Sequence, residues 1–232
     1  MKKTAGIIGG MGPQATIDLF QKIVTHTQSD SDNNHIHILI DNNTNIPDRT
    51  KSILNNSKLP LKYMQDSAMK LESIGADFLA MPCNTAHFFY SELSNSVNIP
   101  IINMIEETAK YLKKRNETKL LLLATTGTIK TQIYQNIFST FDLKIVTPDE
   151  IFQKEIMSAI YDFVKKGIPY SKINIFKEYL NTHLQSDIDN IILGCTELPI
   201  LFYENKFNYK VVDPTLVLAK TIIIKAGYEI KD

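Results

Sequence analysis

Cysteine is scarce in this sequence: its 232 residues hold only Cys83 and Cys195. Two thiols cannot complete a tetrahedral zinc site without histidine. None of His26, His35, His37, His87 and His183 stands at a C-x-x-C or H-x-x-x-H partner spacing, so no metal is expected. A lone pair of cysteines could form a disulfide, but a reducing cytosol argues against a structural one. An excess of charge is also missing, because twenty-five basic and twenty-five acidic side chains cancel. That balance leaves no electrostatic footprint for nucleic acid or an anionic membrane, and neither is an expected partner. Long apolar runs are lacking too. No segment approaches the ~18–20 apolar residues of a membrane span. The opening "MKKTAGIIGG" starts like a secretory signal but breaks into glycines too early. The expected location is the cytoplasm. What the sequence does have is 44% apolar residues, enough for a real core in one large domain or two small ones.

Short apolar runs alternate with longer amphipathic segments. Strand candidates lie at 5–9, 35–40, 77–81 and 99–103, and a second set at 119–124, 143–147, 190–194 and 209–213. Helical spacing fills the gaps. Over 13–28, Ile17, Phe20, Ile23, Val24 and Thr27 share one face, with Pro13 suited to a first helical turn. Strands alternating with helices predict an α/β fold with parallel sheets covered on both faces. The two sets read as copies. "GIIGGMGPQATIDLFQKI" resembles "LLLLATTGTIKTQIYQNI", "ADFLAMPCNT" resembles "IDNIILGCTE", and "NMIEETAK" resembles "DPTLVLAK". The matched pairs Ala5 and Leu120, Cys83 and Cys195, and Asn103 and Asp213 are separated by 115, 112 and 110 residues. Three ordered matches at nearly one offset indicate a tandem duplication. The expectation is two pseudo-symmetric α/β domains, each a mostly parallel four-stranded sheet flanked by helices. They cover 1–103 plus about 214–232, and 104–213.

The duplication puts each cysteine just past the C-terminal end of the third strand of its half, where the next helix begins. Ligands bind along that edge of an open parallel sheet. A helix N-terminus there would lower a thiol's pKa and favour thiolate. A thiol on each side of a carbon can remove a proton from one face and return one to the other, because cysteine's reference pKa of ~8.5 lies near neutrality. The alternative, a single nucleophilic thiol, wants a histidine base beside it, and His87 lies four residues after Cys83. Gly10, Gly12 and Ala15 also form G-x-G-x-x-A, the spacing of a dinucleotide-binding turn. That motif wants an acidic residue ~20 positions on, and Asp41 follows Gly12 by 29. The loop is better read as a close-packed turn near a small anion, with Thr16 nearby.

The motifs "GGMGPQAT", "NIPDRT", "MPCNTAH", "LLATTGT" and "GCTEL" together resemble the aspartate/glutamate racemase family, which needs no cofactor. The resemblance spans nearly the whole chain. Cys195-Thr196-Glu197, where glutamate racemases of cell-wall synthesis read C-T-H, places the chain nearer the aspartate branch. The resemblance implies a homodimer, an acidic amino acid as substrate, an active site in an interdomain cleft, and a last helix (about 214–227) packed on the N-terminal half. It makes Cys83 and Cys195 the catalytic pair. It assigns carboxylate binding to Arg49 and substrate contacts to Met11, Asn84, Thr85, Thr126, Thr196 and Glu197. The lysine of a K-x-G motif falls on Lys165, with Lys166 its neighbour. One departure is Asp213-Pro214-Thr215 where the family has D-S-T, which removes a hydroxyl and an N–H.

The chemistry of a dicarboxylate substrate agrees with these residue types. Arg49 can grip one carboxylate in a bidentate fork and Lys165 can supply a point charge for the other. Backbone N–H groups after each cysteine can receive the α-carboxylate and the charge that builds on it. Each residue also has a plainer reading. Arg49 and Asp48 can be a solvated pair, Lys165 can complement a helix C-terminus before Gly167, and Asn84 and Thr85 can cap a helix. Two other functions stay open. One is a related reaction on the same fold, of the hydantoin racemase, maleate isomerase or arylmalonate decarboxylase type. The other is amino-acid binding without catalysis.

Overall fold

A computed structural model describes residues 2–166, 172–183 and 188–231. The chain divides into two compact units, Met1–Thr108 with Thr215–Asp232, and Ala109–Pro214. The first unit runs β1 (Ala5–Gly9), α1 (Pro13–His26), β2 (Ile38–Asn42), α2 (Arg49–Leu54), α3 (Leu59–Ser73) and β3 (Phe78–Ala80). A 3-10 turn at Thr85–Phe89 and α4 (Tyr90–Ser94) follow, and α5 (Met104–Lys114) carries the chain into the second unit. There come β4 (Lys119–Ala124), α6 (Thr126–Thr131), α7 (Ile133–Ser139), β5 (Lys144–Val146), α8 (Glu150–Ser158) and a π-helical stretch, Ala159–Val164. They are followed by α9 (Ile173–His183), β6 (Asn190–Gly194), α10 (Leu198–Glu204) and β7 (Val211–Val212), and α11 (Pro214–Lys225) then leads back to the first unit.

Both sheets are parallel. Their strand orders are β2-β1-β3 and β5-β4-β6-β7, the same topology around β1 and β4. Register shows the duplication directly. Ala5 pairs with Phe78 and Leu120 with Asn190, and each partner lies five residues before its cysteine. Two local devices recur at equivalent places. The Asp77 carboxylate accepts from Thr4 N–H at 2.7 Å, and the Asp189 carboxylate accepts from Lys119 N–H at 2.8 Å. The Thr16 hydroxyl donates to Gly12 O at 3.3 Å, as the Thr131 hydroxyl does to Gly127 O at 2.9 Å. Duplicated sequence has kept duplicated hydrogen bonds.

The fourth strand expected at 99–103 shrinks to one parallel bridge, Leu79 with Ile101. Pro100 has no N–H to give, so the ladder holds only Leu79 N–H to Pro100 O and Ile102 N–H to Leu79 O. The chain then turns at once, because the Asn103 side chain accepts from Ile105 and Glu106 N–H and opens α5. The strand expected at 35–40 is shifted to Ile38–Asn42, since β1 offers pairing partners up to Gly9 and the polar Asp41 and Asn42 complete the ladder.

Helix α1 corrects the expected apolar face in part: Ile23 and Thr27 are buried as expected. Ile17, Phe20 and Val24 are exposed, whereas Ala15, Thr16, Leu19 and Ile23 are buried. Apolar residues go most of the way round this helix, so periodicity alone fits two faces. Packing selects the one whose small residues Ala15 and Thr16 fit beneath the glycine loop. Helix α11 does pack on the N-terminal unit. Leu218, Ala219, Ile222 and Ile223 are fully buried with Ala5, Ile7, Leu19 and Phe78. Each large apolar side chain of that set contributes about 1.5–3 kcal/mol by burial.

Candidate active site

Every candidate residue but one with described coordinates lies at or beyond the C-terminal end of a parallel strand. The exception, Lys165, reaches the same edge from the π-helical stretch. In the first unit β1 ends in the glycine loop. Gly10 has φ +86°, and a Cβ there would meet the Asn43 backbone at 2.3–2.7 Å, so only glycine fits. The loop is held by Thr16, whose hydroxyl oxygen accepts from Gly10 N–H at 3.0 Å. Thr16 therefore braces the loop.

Arg49 opens α2 behind Asp48, whose carboxylate accepts from Lys51 N–H at 2.7 Å as the N-cap. The Arg49 guanidinium is buried, at 7% exposure, and is not a solvated partner of Asp48. Its Nη1 donates to Ile46 O at 3.1 Å and Pro47 O at 2.9 Å, and its Nη2 donates to Met11 O at 2.7 Å. Nε–H has no partner among the described residues. Nε–H and the second Nη2 hydrogen remain for a ligand, and two such donors are the complement of a carboxylate. Met11 thus meets Arg49 through its carbonyl.

Cys83 follows β3 and is buried together with Asn84 and Thr85. His87, four residues on, is not a base for that thiol. Its Nδ1–H donates to Cys83 O at 2.8 Å, and its Nε2 accepts from Met104 N–H at 3.1 Å. The ring is thereby fixed as the neutral Nδ1–H tautomer, tying the cysteine loop to the first residue of α5. Burial pushes the imidazole down to about 4 from its ordinary 6.5, against the pull of its hydrogen bonds. The unfolded chain therefore binds the proton first. The stability this contact contributes is intact above pH 6.5 and is lost as pH falls toward 4. Between pH 7.5 and 4.5 the loss is on the order of 2–3 kcal/mol from this residue. Urea melts should show the wild type losing that much more than His87→Gln over the interval, and equal losses would remove the assignment.

In the second unit Cys195 follows β6, and the thiol meets Glu197. Cys195 Sγ donates to Glu197 Oε2 at 2.9 Å, and the Thr196 hydroxyl donates to the same oxygen at 3.1 Å. Lys165 Nζ lies 3.6 Å from Glu197 Oε1 and 4.4 Å from the centre of the Tyr161 ring. Between the two lysines the geometry is clear: Lys166 pairs with Asp162 at 2.8 Å on the exposed side. Gly167 of the K-x-G motif lies outside the described residues. The π-helical stretch Ala159–Val164 delivers Lys165, whose N–H bonds to Ile160 O, five residues back. Thr126, equivalent to Met11 by the strand register, is held by α8. Its N–H lies 3.2 Å from Met157 Sδ, and its hydroxyl accepts from Gln153 at 3.4 Å.

The field of a helix start does not lower the Cys195 thiol. Burial raises its pKa well above the ordinary value, the Glu197 charge raises it further, and Lys165 pulls it down by less. The expectation of a depressed pKa is corrected for this cysteine: α10 starts three residues later, while the carboxylate is in contact. Sequence reading also missed Tyr134. It is fully buried, and its hydroxyl is pushed up, first by burial and then by nearby negative charge such as that of Asp213. Its equivalent in the other half is Leu19, so a hydroxyl standing where the duplicate has leucine was the available signal. No group of three or more His, Cys, Asp or Glu residues that could hold a metal occurs among the described residues. No described helix is long and apolar enough to cross a membrane.

Comparison with known proteins places this fold in a family. The family model for Asp/Glu/hydantoin racemases matches residues 8–222. The chain belongs to that family. It is 32% identical to the Picrophilus torridus aspartate racemase, whose structure superposes with a TM-score of 0.84 over 99% of this chain and 96% of that one. An aspartate racemase homologue from Pyrococcus horikoshii OT3 is 25% identical, with a TM-score of 0.78 over 97% and 99%. The broad specificity amino-acid racemase RacX of Bacillus subtilis is 26% identical over 222 residues, 94% of this chain and 96% of that protein. This racemase-family chain is thus an isomerase that acts on a small amino acid.

Proposed function

We propose that the protein interconverts the two enantiomers of an acidic amino acid, aspartate first and glutamate second, by proton transfer at Cα without pyridoxal phosphate. Cys83 and Cys195 are the two acid–base groups. One takes the α-proton from one face as the other delivers a proton to the opposite face. The carrying observation is that each cysteine holds the same place in its own copy of the fold, five residues after the strand residue paired with Ala5 or Leu120. The reading requires both sulfurs to reach one Cα. The free donors of Arg49 support a carboxylate ligand, and Lys165 supplies a second cation. Asn84, Thr85 and Thr196, all buried beside the thiols, supply the remaining polar contacts.

The test is incubation with L-aspartate in deuterium oxide, with no cofactor added. Deuterium should enter Cα as optical rotation decays, and alanine should react far more slowly. Equal rates on alanine would move the reading toward broad specificity, as in RacX. Tight aspartate binding with no exchange would leave only a binding protein. The reading also takes the working form to be a homodimer, in line with the exposed apolar line Ile17, Phe20 and Val24 on α1. A solution mass of one chain would remove that part.

A further inference from the structure

Helix α8 does in the second unit what α2 does in the first. Both follow the second strand of their sheet and begin behind a Pro-Asp pair, Pro47-Asp48 and Pro148-Asp149, whose aspartate caps the helix. From each helix one side chain reaches back to where the first strand ends. Arg49 donates to Met11 O at 2.7 Å. Gln153 Nε2 donates to Ala124 O at 2.9 Å and to the Thr126 hydroxyl at 3.4 Å. What each has left over is opposite in kind. Arg49 keeps an N–H donor, whereas Gln153 Oε1 is a buried acceptor with no partner among the described residues. The amide cannot turn over to hide that oxygen, because Ala124 O can only accept and so holds the NH₂ end.

The free oxygen belongs to the edge that carries the second thiol. Ala124 pairs with Gly194, and Cys195 is the next residue. Neighbouring strands lie about 4.8 Å apart, so Gln153 is anchored one strand over from Cys195. A bare acceptor in a protein interior calls for a donor. An acidic amino acid at neutral pH has one, its α-ammonium, since both carboxylates only accept.

We infer that Gln153 Oε1 accepts a hydrogen bond from the α-ammonium of the substrate. The inference rests on the acidic-amino-acid reading above and gives the ammonium its binding residue. Arg49 and Gln153 divide the work by charge: the guanidinium holds a carboxylate and the amide oxygen holds the N–H. Met157, four residues along the same face of α8, steadies the turn, with Sδ 3.2 Å from Thr126 N–H. The consequence is selectivity. A diacid without the amino group leaves Oε1 bare and is bound less well for that reason.

The experiment measures dissociation constants of aspartate and of succinate, which is aspartate without its ammonium, by calorimetry. Turnover does not disturb the reading, because two enantiomers have equal enthalpy. Gln153→Met keeps the length of the side chain and removes the acceptor. Affinity for aspartate should fall roughly 10- to 100-fold, the worth of one hydrogen bond to a charged group, while affinity for succinate should scarcely change. A glutamine that only holds the turn, or whose oxygen only keeps a water, would weaken both ligands alike or neither. Either result overturns the inference. If Gln153→Met fails to fold by circular dichroism, Gln153→Lys serves, since it keeps a donor for Ala124 O and sets a positive charge near the ammonium. The same divergence between the two ligands is expected there, and its absence is again decisive. Loss of the underlying reading looks different: wild-type protein would then bind no aspartate, or would exchange none of its α-proton.

Discussion

Replacing either Cys83 or Cys195 with serine is expected to slow aspartate racemisation by roughly 10²–10⁴-fold, the range that a general acid–base group contributes. The reason lies in the proton affinity of the two atoms. A thiol changes charge state near neutral pH, and an alcohol does not. Both sulfurs are buried, each at 6% exposure, so a serine there also exchanges a small apolar group for a polar one. The fold should survive that exchange at a cost of about 1–3 kcal/mol if the hydroxyl finds no partner. Thermal melts of both variants separate that cost from the chemical one. The double variant should be no worse than the weaker single one by more than a small factor, because inversion fails once either face is idle. Either single variant racemising at the wild-type rate would end the two-base mechanism.

The second large effect is expected at Arg49. Arg49→Lys keeps the charge but should lower kcat/KM for aspartate roughly 10²-fold, mostly through KM. A bidentate charged pair is worth about 1.5–3 kcal/mol per hydrogen bond. The lysine ammonium cannot serve Ile46 O, Pro47 O and Met11 O while also presenting a pair of donors to a ligand. At least one of those carbonyls would lose its donor, so the melting temperature should fall too. Kinetics and melts together distinguish the roles. A variant that loses stability but keeps its KM would show Arg49 to be only a clamp on the glycine loop.

Much of this fold is legible in the sequence because its signals are local. β1, β4 and β6 lie where the apolar runs place them, since central parallel strands are buried on both faces and cannot hide their composition. The repeat of strand, turn and cysteine could be seen without coordinates for the same reason. What escaped depends on contacts distant in sequence. The exposed face of α1 was misread because two faces of that helix are apolar and only its neighbours decide between them. The fourth strand failed on a single proline and an asparagine that prefers to start a helix. His87 looked like a weak candidate base. Its meaning required knowing that Met104, seventeen residues away, points an N–H at it. Glu197 was visible as a letter in a motif, but its engagement with the adjacent thiol is a matter of rotamer and burial that no spacing encodes.

The π-helical stretch before Lys165 makes chain length itself a determinant of which lysine meets Glu197. An ordinary helical turn advances each residue by about 100°. Deleting one residue between Ala159 and Val164 would relax the widened turn and swing its neighbours by roughly that angle. Lys166, which now pairs with Asp162 on the exposed side, would then come nearer the inner position. Natural variation here should accordingly spare residue number even where it changes residue type, in contrast to surface loops, where length is the first thing to drift.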